Sequence, residues 1–306
     1  MKWIAADKVA LLCPYGELVE ALREGFCSDV ETPERHHHAT SDVTTLLLMP
    51  AWNKQFTGLK SVTVKLDNAA FGVPTVQGAY LLIDNTTGTP VAMMDGTELT
   101  RRRTAAASAL ASDYLSRKDA STLLLVGAGA LAAHFANAHA AVRPIQSVLI
   151  YNRTPEKAAH LVRELHAEGY SARSVDNLQS AMAEADIISG ITSSTQAIIK
   201  GAWVKSGTHI DLAGAFKPSM RETDGEAVGK ARVFVDTLSG AKSEAGDLIQ
   251  AQNEGHFDFS KIEGDLAELC RGTRFGRKTE SEITLFKSCG TALEDLAAAQ
   301  MVYLRS

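Results

Sequence analysis

The chain has 306 residues, of which 45% are hydrophobic and 22% are charged, and its formal net charge is −5. This mixture can bury a large core, and the length predicts two domains. The small excess of acids gives no reason to expect nucleic-acid binding, and no apolar run approaches the roughly 18 residues that would indicate a membrane span.

The N-terminus and the cysteines predict a cellular compartment. The first residues lack the apolar segment of a signal peptide, and the four cysteines are scattered and form no CxxC motif. Scattered cysteines of this kind are typical of reduced thiols. We therefore expect a cytoplasmic protein, with neither a nucleic-acid nor a membrane partner.

The first hundred residues predict an α+β region. Apolar residues recur at helical spacing through residues 1–30, and residues 31–45 are polar and irregular. Strands are then predicted at 44–49, 58–66, 77–84 and 91–94, followed by a helix from about Leu99 to Ser116. The run from His36 to His38 lacks a suitably spaced acidic or cysteine partner, so we expect no metal site.

From Ser121 onward the chain alternates between strands and helices. Strands are predicted at 122–126, 147–151, 171–174, 187–191, 208–212 and 232–235, and helices at 130–142, 155–168 and 177–184. This alternation predicts a Rossmann-type, doubly wound parallel sheet with right-handed crossovers. A final helix at 291–304 has an apolar face that predicts packing against the first region. The expected fold is thus α/β, with residues 117–289 forming the nucleotide-binding domain and residues 1–116 with 290–306 forming an α+β domain.

The residues after the first of these parallel strands form a dinucleotide-binding pattern. Gly127, Gly129 and Ala132 match G-x-G-x-x-A between a strand and a helix rich in small residues. Gly127 permits a sharp turn, Gly129 lets the backbone approach a pyrophosphate, and Ala132 allows close packing of helix and strand. A purely structural turn is the alternative. The flanking strand and helix favour a cofactor, with Ala130 and Leu131 among its contacts at the helix N-terminus.

The end of the next strand bears on the choice of cofactor. Sites that prefer NAD usually place an acid there to bind the ribose 2′-hydroxyl, whereas this chain has Asn152, Arg153 and Thr154. An arginine can pair with a 2′-phosphate and a threonine can hydrogen-bond to it, although Arg153 could also be an ordinary surface arginine. We predict NADP(H), with NAD(H) as the alternative, and we include Thr192 and Ser288 among the cofactor contacts.

Strand alternation draws attention to one lysine of the first region. Period-two alternation places Lys60 on the same face as Val62, Val64 and Leu66. It places Lys65 on the opposite face. A buried lysine needs an anionic partner. That partner could be a carboxylate of the protein or the carboxylate of a substrate.

Arginines of the first region are further candidates for binding an anion. Arg101, Arg102 and Arg103 fall in the first turn of the predicted helix, where cations oppose the helix dipole. They could form a solvated run, but small residues follow Arg103, so we predict that Arg103 turns inward. Arg35 lies in the irregular segment, where an ordinary exposed arginine is the alternative.

Several short segments are distinctive when taken together: Gly58–Lys60, Gly72–Gly78, Leu99–Ala106, Gly127–Gly129, Asn152–Thr154, Gly207–Gly214, Glu244–Asp247 and Lys287–Asp295. In these segments the chain resembles the ornithine cyclodeaminase/mu-crystallin family, over nearly its whole length. That family contains cyclodeaminases, imine and ketimine reductases, alanine dehydrogenases and the mu-crystallins, which bind thyroid hormone. The resemblance implies a homodimer in which the α+β domain binds the substrate and forms the dimer. It also implies that Arg35, Lys60 and Arg103 hold a substrate carboxylate, with Lys60 and Arg103 as the catalytic residues.

Two departures from the family pattern bear on the reaction. The ornithine-cyclising members have an aspartate where this chain has Phe216 and a glutamate where it has Leu47. Neither apolar side chain can accept a proton from a second amine or orient it. We therefore predict NADPH-dependent reduction of a small cyclic imino acid, Δ1-pyrroline-2-carboxylate or its piperideine homologue, with Phe216 beside the substrate ring. The alternatives are ornithine or lysine cyclodeamination, alanine dehydrogenation, and a mu-crystallin-like binding protein without catalysis.

Overall fold

A computed structural model describes residues 1–65 and 67–306 of the chain. The strands are β1 (Lys2–Ile4), β2 (His36–Ser41), β3 (Thr44–Trp52), β4 (Phe56–Lys65), β5 (Val76–Asp84), β6 (Thr89–Asp95), β7 (Thr122–Val126), β8 (Ser147–Tyr151), β9 (Ser171–Ser174), β10 (Ile187–Gly190), β11 (His209–Leu212), β12 (Arg232–Val235), β13 (Ile262–Asp265) and β14 (Thr284–Lys287). The helices are α1 (Ala6–Leu12), α2 (Tyr15–Cys27), α3 (Gly96–Leu115), α4 (Ala132–Val142), α5 (Pro155–Ala167), α6 (Leu178–Glu184), α7 (Gly225–Lys230), α8 (Leu238–Glu244), α9 (Gly246–Asn253), α10 (Leu266–Cys270) and α11 (Ala292–Leu304).

The chain forms two compact units. The first unit contains Met1–Thr104 and Thr291–Ser306, and the second contains Ala105–Gly290. The sequence predicted boundaries at 116/117 and 289/290, whereas the first division between the units falls inside α3. The predicted α/β fold class, with a Rossmann-type parallel sheet, is confirmed.

The first unit is built on a six-stranded sheet in the order β1-β6-β5-β4-β3-β2. Strands β2 to β6 pair antiparallel, and β1 joins β6 in parallel. Helix α11 packs against α2 and against β3 and β4, which confirms the predicted docking of the final helix. The sequence prediction missed β1 and β2. Every residue of β2 is exposed, so the strand has no buried apolar face that a sequence pattern could reveal. Backbone pairing with β3 alone defines it.

The position of the arginine run differs from the prediction. Helix α3 begins at Gly96, because the Asp95 carboxylate accepts the backbone N–H of Glu98 at 2.8 Å and so starts the helix early. The three arginines therefore lie in the second turn, and the prediction of the first turn was wrong. Glu98 occupies the first turn and forms an ion pair with Arg102 at 2.7 Å.

A row of buried side chains crosses the inner face of this sheet. In register, Met49 pairs with Lys60, Lys60 with Tyr80, and Tyr80 with Met94. Lys60 is only 2% exposed, which confirms that it points inward. Of the residues predicted to share its face, Leu66 lies outside the described residues.

The second unit is an eight-stranded, fully parallel sheet in the order β13-β12-β14-β11-β10-β7-β8-β9. Its strands at the predicted positions agree with the sequence analysis to within one residue. Continuous apolar runs mark β7 and β8 most clearly. The prediction missed β13 and β14. Strand β14 lies between β11 and β12 and is fully buried, yet its residues are Thr-Leu-Phe-Lys, so its sequence lacks a continuous apolar run.

Gly58 provides a test of the packing around Tyr80. A Cβ atom at position 58 would overlap the Tyr80 hydroxyl. We expect Gly58→Ala to lower the free energy of unfolding by about 1–3 kcal/mol, the usual cost of overpacking. Gly16→Ala is the control, because nothing lies within 4 Å of a Cβ at that position. Urea unfolding measures both variants, and equal stability of Gly58→Ala and the unsubstituted chain would contradict this packing.

Candidate functional site

The second unit contains a glycine turn that fits a dinucleotide. Gly127 has a φ of +118°, and a Cβ there would lie 3.0 Å from the carbonyl oxygen of Ile191, so glycine is required. At Gly129 a Cβ would have no atom within 4 Å, which leaves open space beside the backbone. Helix α4 begins at Ala132, and its N-cap, Leu131, provides no side-chain cap. The turn and the uncapped N–H groups, which can donate hydrogen bonds to an anion, can therefore bind a pyrophosphate.

Asn152 braces this glycine turn. Its side-chain oxygen accepts the N–H of Ala128 at 3.1 Å, and its amide nitrogen donates to the carbonyl oxygen of Thr154 at 2.9 Å. The side chain thus connects the end of β8 to the turn after β7. The sequence analysis treated Asn152 as a cofactor contact, and the structure adds this bracing role.

Arg153 and Thr154 are the exposed polar groups at the end of β8. Arg153 has no carboxylate partner within the described ranges, 1–65 and 67–306. Thr154 is the N-cap residue of α5, but its side chain does not cap the helix. Both side chains are available to a ligand at this edge of the sheet.

The other predicted contacts of the second unit lie after β10, β11 and β14. The backbone N–H of Thr192 donates to the Glu222 carboxylate at 2.6 Å. Ser288 is buried, and its hydroxyl donates to Asp236 at 3.2 Å. Phe216 is 39% exposed, and the Lys217 ammonium lies 6.0 Å from its ring centroid. All three follow the carboxyl ends of parallel strands, where ligands bind in sheets of this kind.

The first unit contains a buried ion cluster, which we call the Lys60 cluster: Lys60, Arg103, Glu294 and Asp295. Asp295 bridges the two cations, with Lys60 Nζ at 2.7 Å from one oxygen and Arg103 Nε at 2.9 Å from the other. Arg103 also donates to Glu294 at 2.5 Å. Arg103 is 6% exposed, so it is indeed the inward-facing arginine, and the two acids are fully buried.

Burial and charge act against each other in the Lys60 cluster. Burial and the Arg103 charge lower the pKa of Lys60 to about 8, while Asp295 opposes this shift. The Arg35 charge also lowers the Lys60 pKa, so Arg35 lies within electrostatic range. Burial alone would lower the pKa of Arg103, but the charges of Asp295 and Glu294 raise it. Arg103 therefore remains a cation.

Not all hydrogen-bond donors of this cluster are used. Arg103 donates through Nε and one terminal nitrogen, and its second terminal nitrogen has no partner in the described part of the chain. Lys60 carries three N–H donors and contacts one carboxylate. Lys60 and Arg103 therefore keep unused N–H donors, which suits a ligand with a carboxylate.

The sequence analysis did not identify Glu294 and Asp295 as site residues. Both lie in the first turn of α11, where acids complement the helix dipole. The signal was present, because a buried lysine and a buried arginine require acidic partners. What could not be read was which of the 36 acids of the chain would meet them.

Two further features of the described residues concern metals and membranes. Residues 1–65 and 67–306 contain no group of three or more His, Cys, Asp or Glu side chains arranged to hold a metal ion. Within the same ranges, no helix is both long and apolar enough to span a bilayer.

Comparison with known proteins gives one consistent picture. The Δ1-pyrroline-2-carboxylate reductase of Colwellia psychrerythraea is 36% identical over 311 residues, covering 99% of this chain and 98% of that protein. The Thermococcus litoralis Δ1-pyrroline-2-carboxylate reductase, solved with NADH and L-proline, is 32% identical with a TM-score of 0.95, covering 100% of this chain and 97% of that one. An archaeal alanine dehydrogenase dimer with bound NAD is 31% identical with a TM-score of 0.93, covering 99% and 95% of the two chains.

The family comparison agrees with these similarities. The sequence model of the ornithine cyclodeaminase/mu-crystallin family matches residues 7–306. The resemblance seen in the sequence is therefore confirmed over nearly the whole chain. The chain belongs to the ornithine cyclodeaminase/mu-crystallin family.

Proposed function

We propose that this chain reduces a small cyclic imino acid, Δ1-pyrroline-2-carboxylate, to L-proline with NADPH. The chain is an oxidoreductase of the imine-reducing type that uses a nicotinamide cofactor. The observation that carries the proposal is the Lys60 cluster, in which two buried cations keep unused N–H donors that match one carboxylate. The similarity to two Δ1-pyrroline-2-carboxylate reductases supports the same substrate.

The acids of the Lys60 cluster do not remove its capacity to bind an anion. Asp295 holds Lys60 and Arg103 in place, so these two side chains need little ordering at the moment of binding. The charge of Arg35 acts on Lys60 as well, because it helps to lower the Lys60 pKa. These residues would hold the substrate carboxylate and so orient the imine carbon.

The second unit would hold the cofactor. The turn at Gly127 and Gly129 and the N-terminus of α4 would hold the pyrophosphate, with Ala130 and Leu131 beside it. When bound, NADPH supplies a hydride to the imine carbon. A cyclic imine protonated in solution needs no acid from the protein, because hydride addition to the iminium carbon gives the secondary amine directly.

We assign the NADPH preference to Arg153 and Thr154. Arg153 is exposed and lacks a carboxylate partner in the described part of the chain, so it can pair with a 2′-phosphate. Asn152 stands where an NAD-preferring site would have an acid, and its side chain braces the turn. The related structures contain NADH or NAD, so NAD(H) remains the rival cofactor.

We also propose that the chain forms a homodimer through the outer face of the first sheet. A row of apolar residues crosses that face in register: Pro50, Leu59, Leu81, Met93 and Trp3. None is buried in the single chain, and Trp3 is 62% exposed. The similar archaeal alanine dehydrogenase is a dimer. A single-chain mass in sedimentation equilibrium would contradict the proposal.

The cytoplasm is the proposed location. Cys13 and Cys27 carry free thiols, which suits a reducing compartment. Cell fractionation tests this location. We expect the enzyme in the same fraction as a cytoplasmic marker.

The reaction is tested by NADPH oxidation with a panel of substrates. We expect turnover of Δ1-pyrroline-2-carboxylate, with Δ1-piperideine-2-carboxylate as the ring-size comparison, and little turnover of pyruvate with ammonia. Ornithine should release no ammonia, because Phe216 and Leu47 stand where cyclodeaminases have acids. Cofactor binding without turnover of any imine would instead support a binding protein, and robust turnover of ornithine would overturn the assignment.

Arg103→Leu tests the carboxylate contact. Loss of a charged hydrogen bond costs about 1.5–3 kcal/mol, so kcat/KM for Δ1-pyrroline-2-carboxylate should fall roughly 10–150-fold, while NADPH affinity stays nearly constant. Δ1-Pyrroline, which lacks the carboxylate, should be a poor substrate and respond little. Arg101→Leu is the matched control, because Arg101 has only a 3.9 Å contact with Glu98. Equal losses on both imines would mean that Arg103 supports the fold.

Arg153→Ala tests the cofactor preference. We expect the KM for NADPH to rise at least about tenfold, because a charge-assisted contact with the 2′-phosphate is lost. The KM for NADH should not change. Arg163→Ala, at another exposed arginine of the same unit, is the control. If the substitution weakened NADPH and NADH equally, Arg153 would not be the residue that recognises the phosphate.

A further inference from the structure

One buried carboxylate connects two loops at the carboxyl edge of the parallel sheet. Strands β10 and β11 are neighbours, and a loop follows each of them. One oxygen of Glu222 accepts the N–H of Thr192, after β10, at 2.6 Å. Its other oxygen accepts the N–H groups of Gly214 at 2.7 Å and Ala215 at 3.3 Å, after β11. Each oxygen thus serves one loop.

The two loops approach each other too closely for a side chain between them. A Cβ at Gly214 would overlap the carbonyl oxygen of Thr192, and a Cβ at Gly190 would lie 3.1 Å from the Glu222 carboxylate. Glycine at both positions allows the carboxylate to reach both loops. The connection through Glu222 is therefore part of a tightly packed arrangement.

Two charged groups from other elements face this carboxylate. Lys287 of β14 is fully buried, donates to the Leu212 carbonyl oxygen at 3.2 Å and lies 3.4 Å from Asp247 of α9. Asp247 accepts the N–H groups of Glu222 and Thr223 at 2.7 and 2.9 Å, which fixes the backbone that carries Glu222. The carboxylate is therefore held rigidly at this edge.

We propose that Glu222 is a positioning residue for the cofactor, whose ionised carboxylate holds the Thr192 loop and the 213–216 loop in the arrangement that binds the nicotinamide nucleotide. This rests on the proposed function, together with the predictions from the sequence that Thr192 contacts the cofactor and Phe216 lies beside the substrate ring. An ionised carboxylate is needed because it can accept hydrogen bonds at both oxygens. A protonated or amidated group instead directs a donor toward one of the loops.

The Glu222 carboxylate, whose hydrogen bonds connect the two loops, should titrate near neutral pH. Burial raises the pKa of Glu222 to about 7, with the Lys287 charge lowering it and the Asp247 charge raising it further. As pH falls through this value the carboxylate takes up a proton and loses one of its two acceptor sites. Cofactor affinity should therefore be constant at alkaline pH and weaken on acidification.

Glu222→Gln tests the positioning role by fluorescence titration with NADH. NADH is the probe because it lacks the 2′-phosphate, which itself titrates near pH 6. At pH 8 we expect the Kd of Glu222→Gln to rise about tenfold. Asp186→Asn is the matched control. Asp186 is buried and accepts the N–H groups of Ser121 and Thr122, but these lie at the amino ends of the strands, opposite the Glu222 loops. The Kd of the Asp186→Asn variant for NADH should be unchanged.

The pH dependence supplies a second readout that a merely structural role would not produce. The unsubstituted chain should bind NADH more weakly at pH 6.2 than at pH 8, and Glu222→Gln should show a flat profile. If Glu222→Gln does not fold, the profile of the unsubstituted chain decides alone. A flat profile in the unsubstituted chain, or an equal loss in Asp186→Asn, overturns the proposal. NADH binding with this profile but without imine reduction would contradict the proposed reaction and support the role of Glu222.

Discussion

Asp295 holds together three segments of the first unit that are far apart in the chain. Asp295, in α11, contacts Lys60 of β4 and Arg103 of α3. Arg103 precedes Asp295 by 192 residues in the chain. Removing one partner of a buried ion pair leaves an uncompensated charge, which costs about 3–5 kcal/mol. The burial of Lys60 and Arg103 therefore requires α11, which explains physically why the C-terminal helix belongs to the first unit.

The second unit uses buried acids in a similar way, but to shape backbone. Glu222 accepts N–H groups from the loops after β10 and β11. Asp236 accepts the N–H groups of Cys289 and Gly290, both at 2.6 Å, after β14. Loops at this edge are thus fixed by charge-assisted hydrogen bonds, which are directional, and apolar packing alone would not define them as sharply. A polar ligand can then meet a preformed surface.

The sequence predicted those features that local pattern controls. Apolar runs located the central parallel strands, and period-two alternation placed Lys60 inside. Strand β2 could not be found this way, because its polar residues are held only by pairing with β3. The pairing of Arg103 with Glu294 and Asp295 was equally hidden, because long-range contacts between polar groups leave no periodic trace. The wrong helix turn for the arginines came from overlooking Asp95 as a cap.

The proposed substrate and cofactor preferences depend on different kinds of residue. Lys60 and Arg103 are buried and share Asp295, so changing one of them disturbs the others and the packing of α11. Arg153 is exposed and contacts no carboxylate in the described residues, so changing it disturbs little else. Substitution costs are generally small at such exposed positions and large at buried charges. On the proposed function, a single substitution can therefore change the choice between NADPH and NADH, whereas the proposed requirement for a substrate carboxylate depends on residues buried in the core of the first unit.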